Sequence, residues 1–522
     1  MATDERLGKL RRLITESIRI QRDTLEPIEY IDSGHALDDV TAKQNHVVFG
    51  RRGCGKTLLL HACKSRLPTT TKGVYLNCED FKNHTFPNVL IEILEAIFRE
   101  LEDNLPKWFG RKRRQRQLIV NIRKQLTDLR KSPDALEEQV TRSDGSETSS
   151  NVSGSIMGSV GERSLAGTAS GGAKWAAKSE RQETSQFARV TEKLRNLQDI
   201  LPEIKRQLRE FFELSNTVKA IFIQVDDYYH LRIADQPLVI DYLHRLCKDL
   251  PMYFKLATLR HASSLFVERD RQPMGVQERH DFLPIDIDFT FETFDSTLKQ
   301  LRLIFHEYGA KVGYADGEVD GFFKGEGFKR LVVVGGGVPR DCLSIFLDAL
   351  SSAAEEGDGR IGKDTMRLLS SETFENRIKD LKKDSHADQQ DALLRGIYAI
   401  RKFCFDNKSN AFVIEERVLR DLQSVNELIY RLLDYRIIHS AASAFTHKTH
   451  AGTYRAFVID VGCYGFWRKL EGKMNEIDVS DKGAKEQLRS APRLTAEILA
   501  SLQNLAPSHI EDALKLDPGE IE

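Results

Sequence analysis

The stretch Gly50-Arg51-Arg52-Gly53-Cys54-Gly55-Lys56-Thr57 lies between an apolar run, His46-Val47-Val48-Phe49, and a helical pattern that begins at Leu58. Its three glycines let the backbone curl so that successive N–H groups face inward, and the following helix adds its positive N-terminal end. A polyphosphate fits such a cradle. The stretch therefore predicts a nucleotide-binding site, where Lys56 reaches the β/γ-phosphates and the Thr57 hydroxyl completes the shell of a Mg²⁺ ion. The residues expected to contact the nucleotide are Gly50, Arg52, Gly53, Cys54, Gly55, Lys56 and Thr57.

The composition indicates a multidomain globular protein. The chain has 522 residues, of which 40% are hydrophobic and 30% charged, and its formal net charge is -1. Length predicts two or three domains, and the balanced charge means that any nucleic-acid surface must be local. The seven cysteines are scattered and form no C-x-x-C pair, which favours neither a disulfide framework nor a zinc cluster. We expect a cytoplasmic protein without a membrane segment or an export signal.

Alternating strands and helices predict a parallel sheet with its ligand at the carboxyl ends of the strands. After the glycine-rich stretch, the strand patterns are Gly73–Cys78, Ala220–Asp227 and Tyr253–Leu259. A basic helical segment and a Ser/Gly/Ala-rich tract, Ser143–Ala173, interrupt the pattern at about 106–185. The fold class is therefore α/β.

The remainder of the chain predicts two further domains. Residues from Phe291 onward read as a helical lid broken by Gly335-Gly336-Gly337-Val338-Pro339-Arg340, and a mixed pattern of helices and short strands from Leu393 to Leu470 reads as a winged-helix-like α+β domain. The predicted boundaries are 1–40 for an N-terminal helical segment, 41–290 for the interrupted α/β core, 291–385 for the lid, 386–472 for the winged-helix-like domain and 473–522 for a helical tail.

Two carboxylates end the buried strand pattern Ala220–Asp227. Asp226 is placed to reach the Mg²⁺ held by Thr57, and Asp227 follows it where a water-polarising base is expected. Asp227 is one methylene shorter than a Glu would be at the position of this base. A carboxylate displaced by about an ångström can cost on the order of 100-fold in rate. We therefore expect slow hydrolysis. The alternative is a surface turn after a core strand.

Three further positions are candidates for contacting phosphate. Thr258 ends the strand expected next to the Asp226 strand and could sense the γ-phosphate. Arg340 begins a helix after Gly-Val-Pro, so its guanidinium could lock the lid onto the core when nucleotide is bound. Arg260 and Arg245 either reach the nucleotide of a neighbouring subunit or are ordinary surface arginines.

With these residues the chain resembles the AAA+ ATPases, most closely the initiator clade of origin-recognition-complex-like proteins and their bacterial relatives. The resemblance spans roughly residues 40–470 without the insert. It implies a P-loop AAA+ core, ATP with Mg²⁺ as ligands, Thr258 as sensor 1, Arg340 as sensor 2, and assembly into a ring or filament. The Asp226-Asp227 pair looks more like the STAND signalling ATPases, which use ATP as a slow switch.

Three other segments leave alternatives open. The run Arg111–Arg116 with Arg123, Lys124, Arg130 and Lys131 either neutralises DNA phosphates or is a solvated helical face. The tract Ser149–Ala173 is either a flexible linker or a loop that orders on oligomerisation or on a partner. The turn Phe445–Thr453 is either a wing that touches DNA or part of a protein contact.

The favoured hypothesis is an oligomerising ATP switch that engages DNA and is reset by hydrolysis. By resemblance such proteins act in replication initiation, mobile elements and bacterial antiviral defence, and the unusual insert favours defence. The alternatives are a STAND-like scaffold that assembles on a protein trigger and recruits a separate effector protein, and a nucleotide-binding subunit that does not turn over.

Overall fold

A computed structural model gives the fold. It describes residues 5–18, 29–32, 34–103, 105, 111–131, 193–269, 271–355, 359–384, 387–465, 467, 472–507 and 510. The chain divides into two compact units, the first comprising residues 1–67, 224–237 and 254–522 and the second comprising residues 68–223 and 238–253. The domain boundaries predicted from the sequence remain a prediction, and the Ser/Gly/Ala-rich tract Ser143–Ala173 lies outside the described residues.

A five-stranded sheet organises the α/β part of the chain. Its strands are β1 (His46–Phe49), β2 (Thr71–Asn77), β3 (Ala220–Asp226), β4 (Met252–Thr258) and β7 (Leu283–Asp286), in the order β2-β3-β4-β1-β7. Strand β1 pairs in parallel with both β4 and β7. The predicted parallel sheet is confirmed, and β4 neighbours β3 as expected.

Two strand features were absent from the sequence-based expectation. The fifth strand, β7, has only four residues and contains Pro284, which is compatible with the edge position that it occupies because an edge strand can lack one N–H donor. A separate hairpin, β5 (Phe266–Arg269) and β6 (Gln272–Gly275), follows β4.

The first unit contains helices near the glycine-rich loop and helices that form the lid. They are α1 (Glu5–Ser17), α2 (Ala36–Thr41), α3 (Lys56–Arg66), α8 (Phe294–Lys311), α9 (Gly327–Val334), α10 (Pro339–Glu355) and α11 (Lys363–Asp384). Helix α1 belongs to the lid core, since Leu10 and Ile14 are fully buried and the Ser17 and Tyr308 hydroxyls lie 2.8 Å apart. The predicted helical lid is confirmed.

The second unit contains β2, most of β3 and the helices α4 (Asn88–Asp103), α5 (Arg111–Lys131), α6 (193–214) and α7 (Gln236–Cys247), whose first two residues belong to the first unit. Helix α5 packs on α4 through an apolar stripe that includes Leu118, Ile122 and Leu126. Each of these residues is at most 2% exposed.

Helix α5 is the basic segment singled out in the sequence, and much of its charge is used inside its own unit. Arg116 and Arg123 both pair with Glu102 at 2.8 Å, and Arg130 pairs with Glu92 and Glu95. Arg114 pairs with Glu210. Carboxylates of neighbouring helices thus pair with these four arginines, and the choice between a phosphate-binding surface and a solvated face stays a prediction.

The C-terminal part of the first unit has winged-helix topology. Its elements are α12 (Ala387–Asp406), β8 (Ala411–Glu415), α13 (Glu416–Asp421), α14 (Gln423–Asp434), β9 (Ile438–Thr446) and β10 (Thr453–Ile459), and its antiparallel sheet has the order β8-β10-β9. The prediction is confirmed as a class. The sequence pattern did not distinguish α13, which has six residues, and Arg436, with a positive φ of 63°, is a turn residue before β9.

The tail contains two short helices, α15 (Ala484–Leu488) and α16 (Ala496–Asn504), and α16 packs against α12. All seven cysteines are free and buried. Within the described residues, no helix combines the length and apolar character needed to cross a membrane.

We expect the α4–α5 pairing to depend on Glu102, whose side chain is 9% exposed and faces two arginines. Glu102→Gln removes the charge and leaves both guanidinium groups undercompensated, so the free energy of unfolding should fall by about 1–2 kcal/mol in denaturant titrations. The matched control is Glu213→Gln on the exposed face of α6. Equal stability of the two variants would contradict this role of the ion pairs.

Candidate nucleotide site

The glycine-rich loop has the curled backbone that its sequence predicts. Gly53 and Gly55 have φ values of 87° and 95°, which place both in the left-handed region that favours glycine. At Gly53 space is also limiting, because a Cβ atom there would lie 2.8 Å from the Cβ of Arg340. The loop thus has the backbone shape of a phosphate cradle.

Lys56 begins α3 beneath this loop and is only 5% exposed. Its ammonium group donates to the carbonyl oxygens of Gly50 at 2.7 Å and Arg51 at 3.1 Å. Burial lowers the pKa of Lys56, and the carboxylates of Asp227 and Asp226 act in the opposite direction. The lysine and the two carboxylates therefore share one electrostatic environment.

Asp226 and Asp227 differ in their settings. Asp226 is the last residue of β3 and has no exposed surface, and one of its carboxylate oxygens accepts from the Asp227 N–H at 2.9 Å. Asp227 turns the chain with a φ of 50°, a conformation that Asp tolerates better than most residues. Asp226 is thus fixed, whereas Asp227 stands at the start of the turn that leaves the sheet.

Thr258 lies directly beside the strand that leads into the glycine-rich loop. It is opposite Phe49 in the β1–β4 register and is fully buried, and its hydroxyl bonds to the Ser263 hydroxyl at 2.5 Å. Thr258 thus ends a strand that lies between the Asp226 strand and the loop strand, and its contact with the γ-phosphate stays a prediction.

The other candidate arginines have intrachain partners. Arg260 pairs with Asp286 at 2.6 Å and Glu278 at 3.3 Å, and its guanidinium lies 4.1 Å from the centre of the Phe49 ring. Arg245, in the second unit, pairs with Asp241 at 2.9 Å. Both side chains are partly exposed, at 34% for Arg260 and 42% for Arg245, and their role at a neighbouring subunit stays a prediction.

Arg340 is adjacent to the loop through its backbone. It is the second residue of α10, and its N–H donates to the Gly53 carbonyl at 3.3 Å. Its side chain is exposed. The contact places the first turn of α10 directly against the glycine-rich loop.

Several residues around the loop could not be predicted from the sequence. Asp288 accepts from the Arg51 guanidinium at 2.8 Å, and the Cys54 thiol lies 3.4 Å from the same carboxylate. Burial favours the neutral form of Asp288, but Arg51 outweighs it and lowers the pKa of the carboxyl. Tyr30 packs beside Gly55, where a Cβ atom would lie 3.7 Å from its ring. Only the geometry reveals these partners, since Asp288 is 237 residues from Arg51.

Residues of the winged-helix-like domain also reach the loop. His439 on β9 lies with its Nδ1 atom 3.3 Å from the Arg51 guanidinium, and its Nε2 atom lies 3.0 Å from Asp460. Burial lowers the pKa of His439 to about 4, so the ring is neutral near pH 7. Because Nε2 faces a carboxylate, it carries the proton and Nδ1 accepts from Arg51.

A second path returns from Asp460 to the loop through two buried arginines. Arg377 on α11 contacts both Asp460 and Asp341. Asp341, next to Arg340, also accepts from Arg436 at 2.7 Å, and Arg436 donates to the carbonyl of Arg52 at 3.4 Å. We call the contacts of Arg51, His439, Asp460, Arg377, Asp341, Arg436 and Arg52 the polar ring.

Helix α14 makes a separate contact with the loop after β4. Asp434 accepts from the backbone N–H groups of His261 at 3.0 Å and Ala262 at 2.7 Å, and the Tyr430 ring stacks on the His261 ring. In a winged helix this is the helix that would enter a DNA groove. Its C-terminal half is instead packed against the α/β core.

Comparisons with known proteins give distant structural likenesses. No protein-family model matches the sequence, and no curated protein matches it. The Aeropyrum pernix ORC1 protein in complex with DNA is 12% identical, with 93% of this chain and 94% of that chain covered and a TM-score of 0.33. Drosophila ORC bound to DNA is also 12% identical, with 92% of each chain covered and a TM-score of 0.34. Similarity at this level assigns no function.

We expect Asp434 to make a pH-dependent contribution to the free energy of unfolding. Burial raises its pKa to about 7, although the two N–H groups favour the carboxylate. The unfolded chain titrates near 3.9, so ionisation of Asp434 opposes folding increasingly as the pH rises, until it passes about 7. Asp434→Asn keeps an oxygen acceptor and cannot ionise. Its free energy of unfolding relative to wild type should rise by roughly 1–3 kcal/mol between pH 5 and pH 8.

Denaturant titrations at the two pH values measure this difference. Glu427→Gln, on the exposed side of the same helix, is the control and should give the same offset at both. A pH-independent offset for Asp434→Asn would show that Asp434 is not the titrating group.

Proposed function

We propose that this protein is a Mg²⁺-dependent ATPase of the AAA+ type that acts as a slow molecular switch. The observation that carries the proposal is the curled Gly50–Thr57 loop with Lys56 buried beneath it, in the same electrostatic environment as Asp226 and Asp227. The strand order supports it, because only β4 separates the loop strand β1 from the carboxylate strand β3.

In this proposal each group of residues has its own role at the nucleotide. The loop N–H groups and Lys56 bind the phosphates. Thr57 and Asp226 would hold Mg²⁺, which neutralises charge on the phosphates when it is bound. Thr258 and Arg340 contact the γ-phosphate, and Arg340 does so from the first turn of α10. Gly50, Arg52, Gly53, Cys54 and Gly55 supply the backbone of the cradle.

Asp227 is proposed as the base that orients the attacking water. It follows Asp226 directly at the carboxyl end of β3, where its φ of 50° turns the chain away from the strand. The short side chain supports slow turnover, because misplacement of a base lowers the rate steeply. Slow hydrolysis suits a switch whose ATP-bound state must persist.

Homo-oligomer assembly and DNA binding are further parts of the proposal. The winged-helix topology supports a DNA partner. The turn Phe445–Thr453 already makes contacts within the chain, since Lys448 pairs with Glu486 and the Arg489 guanidinium donates to Thr446. In this proposal the turn binds DNA while it keeps these contacts. A setting in antiviral defence or in a mobile element rests on the resemblance and the unusual insert.

A second candidate is the STAND-like scaffold that assembles on a protein trigger. The contact of α14 with the His261-Ala262 loop favours it, because the helix that would read DNA is partly engaged inside the chain. In this candidate a protein ligand of the C-terminal region, and not DNA, releases the assembly, and a separate effector protein acts downstream.

The ATPase proposal makes distinct demands on Lys56 and Asp227. We expect Lys56→Ala to weaken MgATP binding by about 10–100-fold, because it removes the charge beneath the phosphates. Asp227→Asn should lower kcat on the order of 100-fold or more, with the dissociation constant changed by less than about threefold. Asp295→Asn, an exposed acid at the start of α8, is the control. Calorimetric titration and single-turnover hydrolysis give the two readouts.

Adding duplex DNA separates the two candidates. Turnover stimulated by DNA, with a stimulation that falls steeply with salt, supports the DNA switch. ATP turnover that is unchanged by DNA supports the protein-triggered scaffold. Absence of ATP binding by the wild-type chain, or equal binding by Lys56→Ala, would contradict both.

A further inference from the structure

The outer side of the glycine-rich loop is held by residues that lie nearly 400 positions away in the chain. Arg436 donates to the Arg52 carbonyl, and His439 accepts from the Arg51 guanidinium. Arg436 and His439 are 4% and 3% exposed, so both contacts are shielded from water. The C-terminal domain and the glycine-rich loop are therefore joined by buried polar contacts.

The contact at Arg52 has a direct stereochemical consequence. In a trans peptide the C=O of one residue and the N–H of the next point in opposite directions. A guanidinium that holds the Arg52 carbonyl on the outside therefore turns the Gly53 N–H to the inside of the curl. An inward N–H at this position is what a phosphate requires.

The contact at Arg51 fixes the preceding residue in the same way. The Arg51 guanidinium is held between Asp288 and His439, and the ring of His439 is held in turn by Asp460. Gly336 packs against this ring so closely that a Cβ atom there would lie 2.4 Å from Cε1. The imidazole is thus locked between the loop, the segment before α10 and Asp460.

Asp341 connects the two contacts to the lid. It accepts from Arg436 and from Arg377, which also contacts Asp460, and it adjoins Arg340. Any displacement of the C-terminal domain must therefore break buried charged contacts at Arg51, Arg52 and the start of α10 together. Leaving such groups unpaired is costly, so the polar ring favours an all-or-none arrangement.

We propose that Arg436 and His439 are positioning residues for the phosphate-binding loop, so that the placement of the C-terminal domain sets the affinity of the loop for a nucleoside triphosphate. This inference rests on the proposed function. The coupling is reciprocal, because a nucleotide that requires the held loop also stabilises the contacts that hold it. A partner of the C-terminal domain that pulls it from the loop lowers nucleotide affinity.

Substitutions of His439 separate positioning from mere packing. Asn presents an acceptor near the Nδ1 position, facing Arg51, whereas Gln presents its amide near the Nε2 position, facing Asp460. We expect His439→Gln to weaken binding of a non-hydrolysable ATP analogue by about tenfold and His439→Asn to retain most of the affinity. Arg436→Ala should weaken binding at least as much as His439→Gln.

Val413→Ala is the matched control, because Val413 is fully buried in β8 of the same domain and lies outside the polar ring. Its thermal unfolding midpoint should fall, while its nucleotide dissociation constant should stay within about twofold of wild type. Binding is measured by calorimetry below the lowest unfolding midpoint of the set. If Arg436→Ala does not fold, the two His439 variants decide the question.

The results distinguish the inference from the function beneath it. Weakened binding by Arg436→Ala and His439→Gln, with Val413→Ala unaffected, supports positioning. Wild-type affinity in both variants, or equal weakening in Val413→Ala, overturns it while Lys56→Ala still loses binding. A wild-type chain that binds no nucleotide, or binds it as Lys56→Ala does, overturns the proposed function itself.

Discussion

The buried ion pair between Arg51 and Asp288 is the constraint on which the site depends. Arg51 sits in the loop, Asp288 follows the edge strand β7, and their charged groups are 2.8 Å apart. Burial alone would lower the pKa of Arg51, and the Asp288 carboxylate reverses this and raises it, so the guanidinium stays charged. A permanent buried cation must be surrounded by acceptors. Asp288, the Phe289 carbonyl and His439 are those acceptors, and they come from the segment after β7 and from the C-terminal domain.

Two arginines next to each other in the loop therefore link three parts of the chain. Arg51 connects the loop to β7 and β9, and the Arg52 carbonyl connects it through Arg436 to Asp341 at the start of α10. The winged-helix-like domain therefore contributes to the surroundings of the glycine-rich loop, although nearly 400 positions separate the two in the chain. Its α14 contact at Asp434 adds a further attachment to the loop after β4. The winged-helix-like domain thus contacts the surroundings of the nucleotide site within its own chain, independently of any external partner.

The sequence alone predicted the sheet, the loop and the winged-helix class because each has a local signal. Apolar runs marked β1, β3 and β4, and the glycine spacing marked the loop. The edge strand β7 has four residues and a proline, so no periodicity could reveal it. Asp288, His439 and Asp460 could not be found either, because their roles come from long-range contacts with Arg51 and with each other. The positive charge of helix α5 could be predicted from its sequence. Its partners Glu102, Glu92 and Glu210 could not, because they lie on other helices.

Hydrogen–deuterium exchange with and without MgATP tests most directly the claim that the loop and the C-terminal domain form one coupled site. Binding should slow amide exchange in residues 50–57 and also in 436–441 and 458–463, because the nucleotide stabilises the contacts that hold the loop. Lys56→Ala should show neither effect. Slower exchange confined to residues 50–57, with the C-terminal segments unchanged, would contradict the coupling and leave the C-terminal domain as a neighbour of the site only.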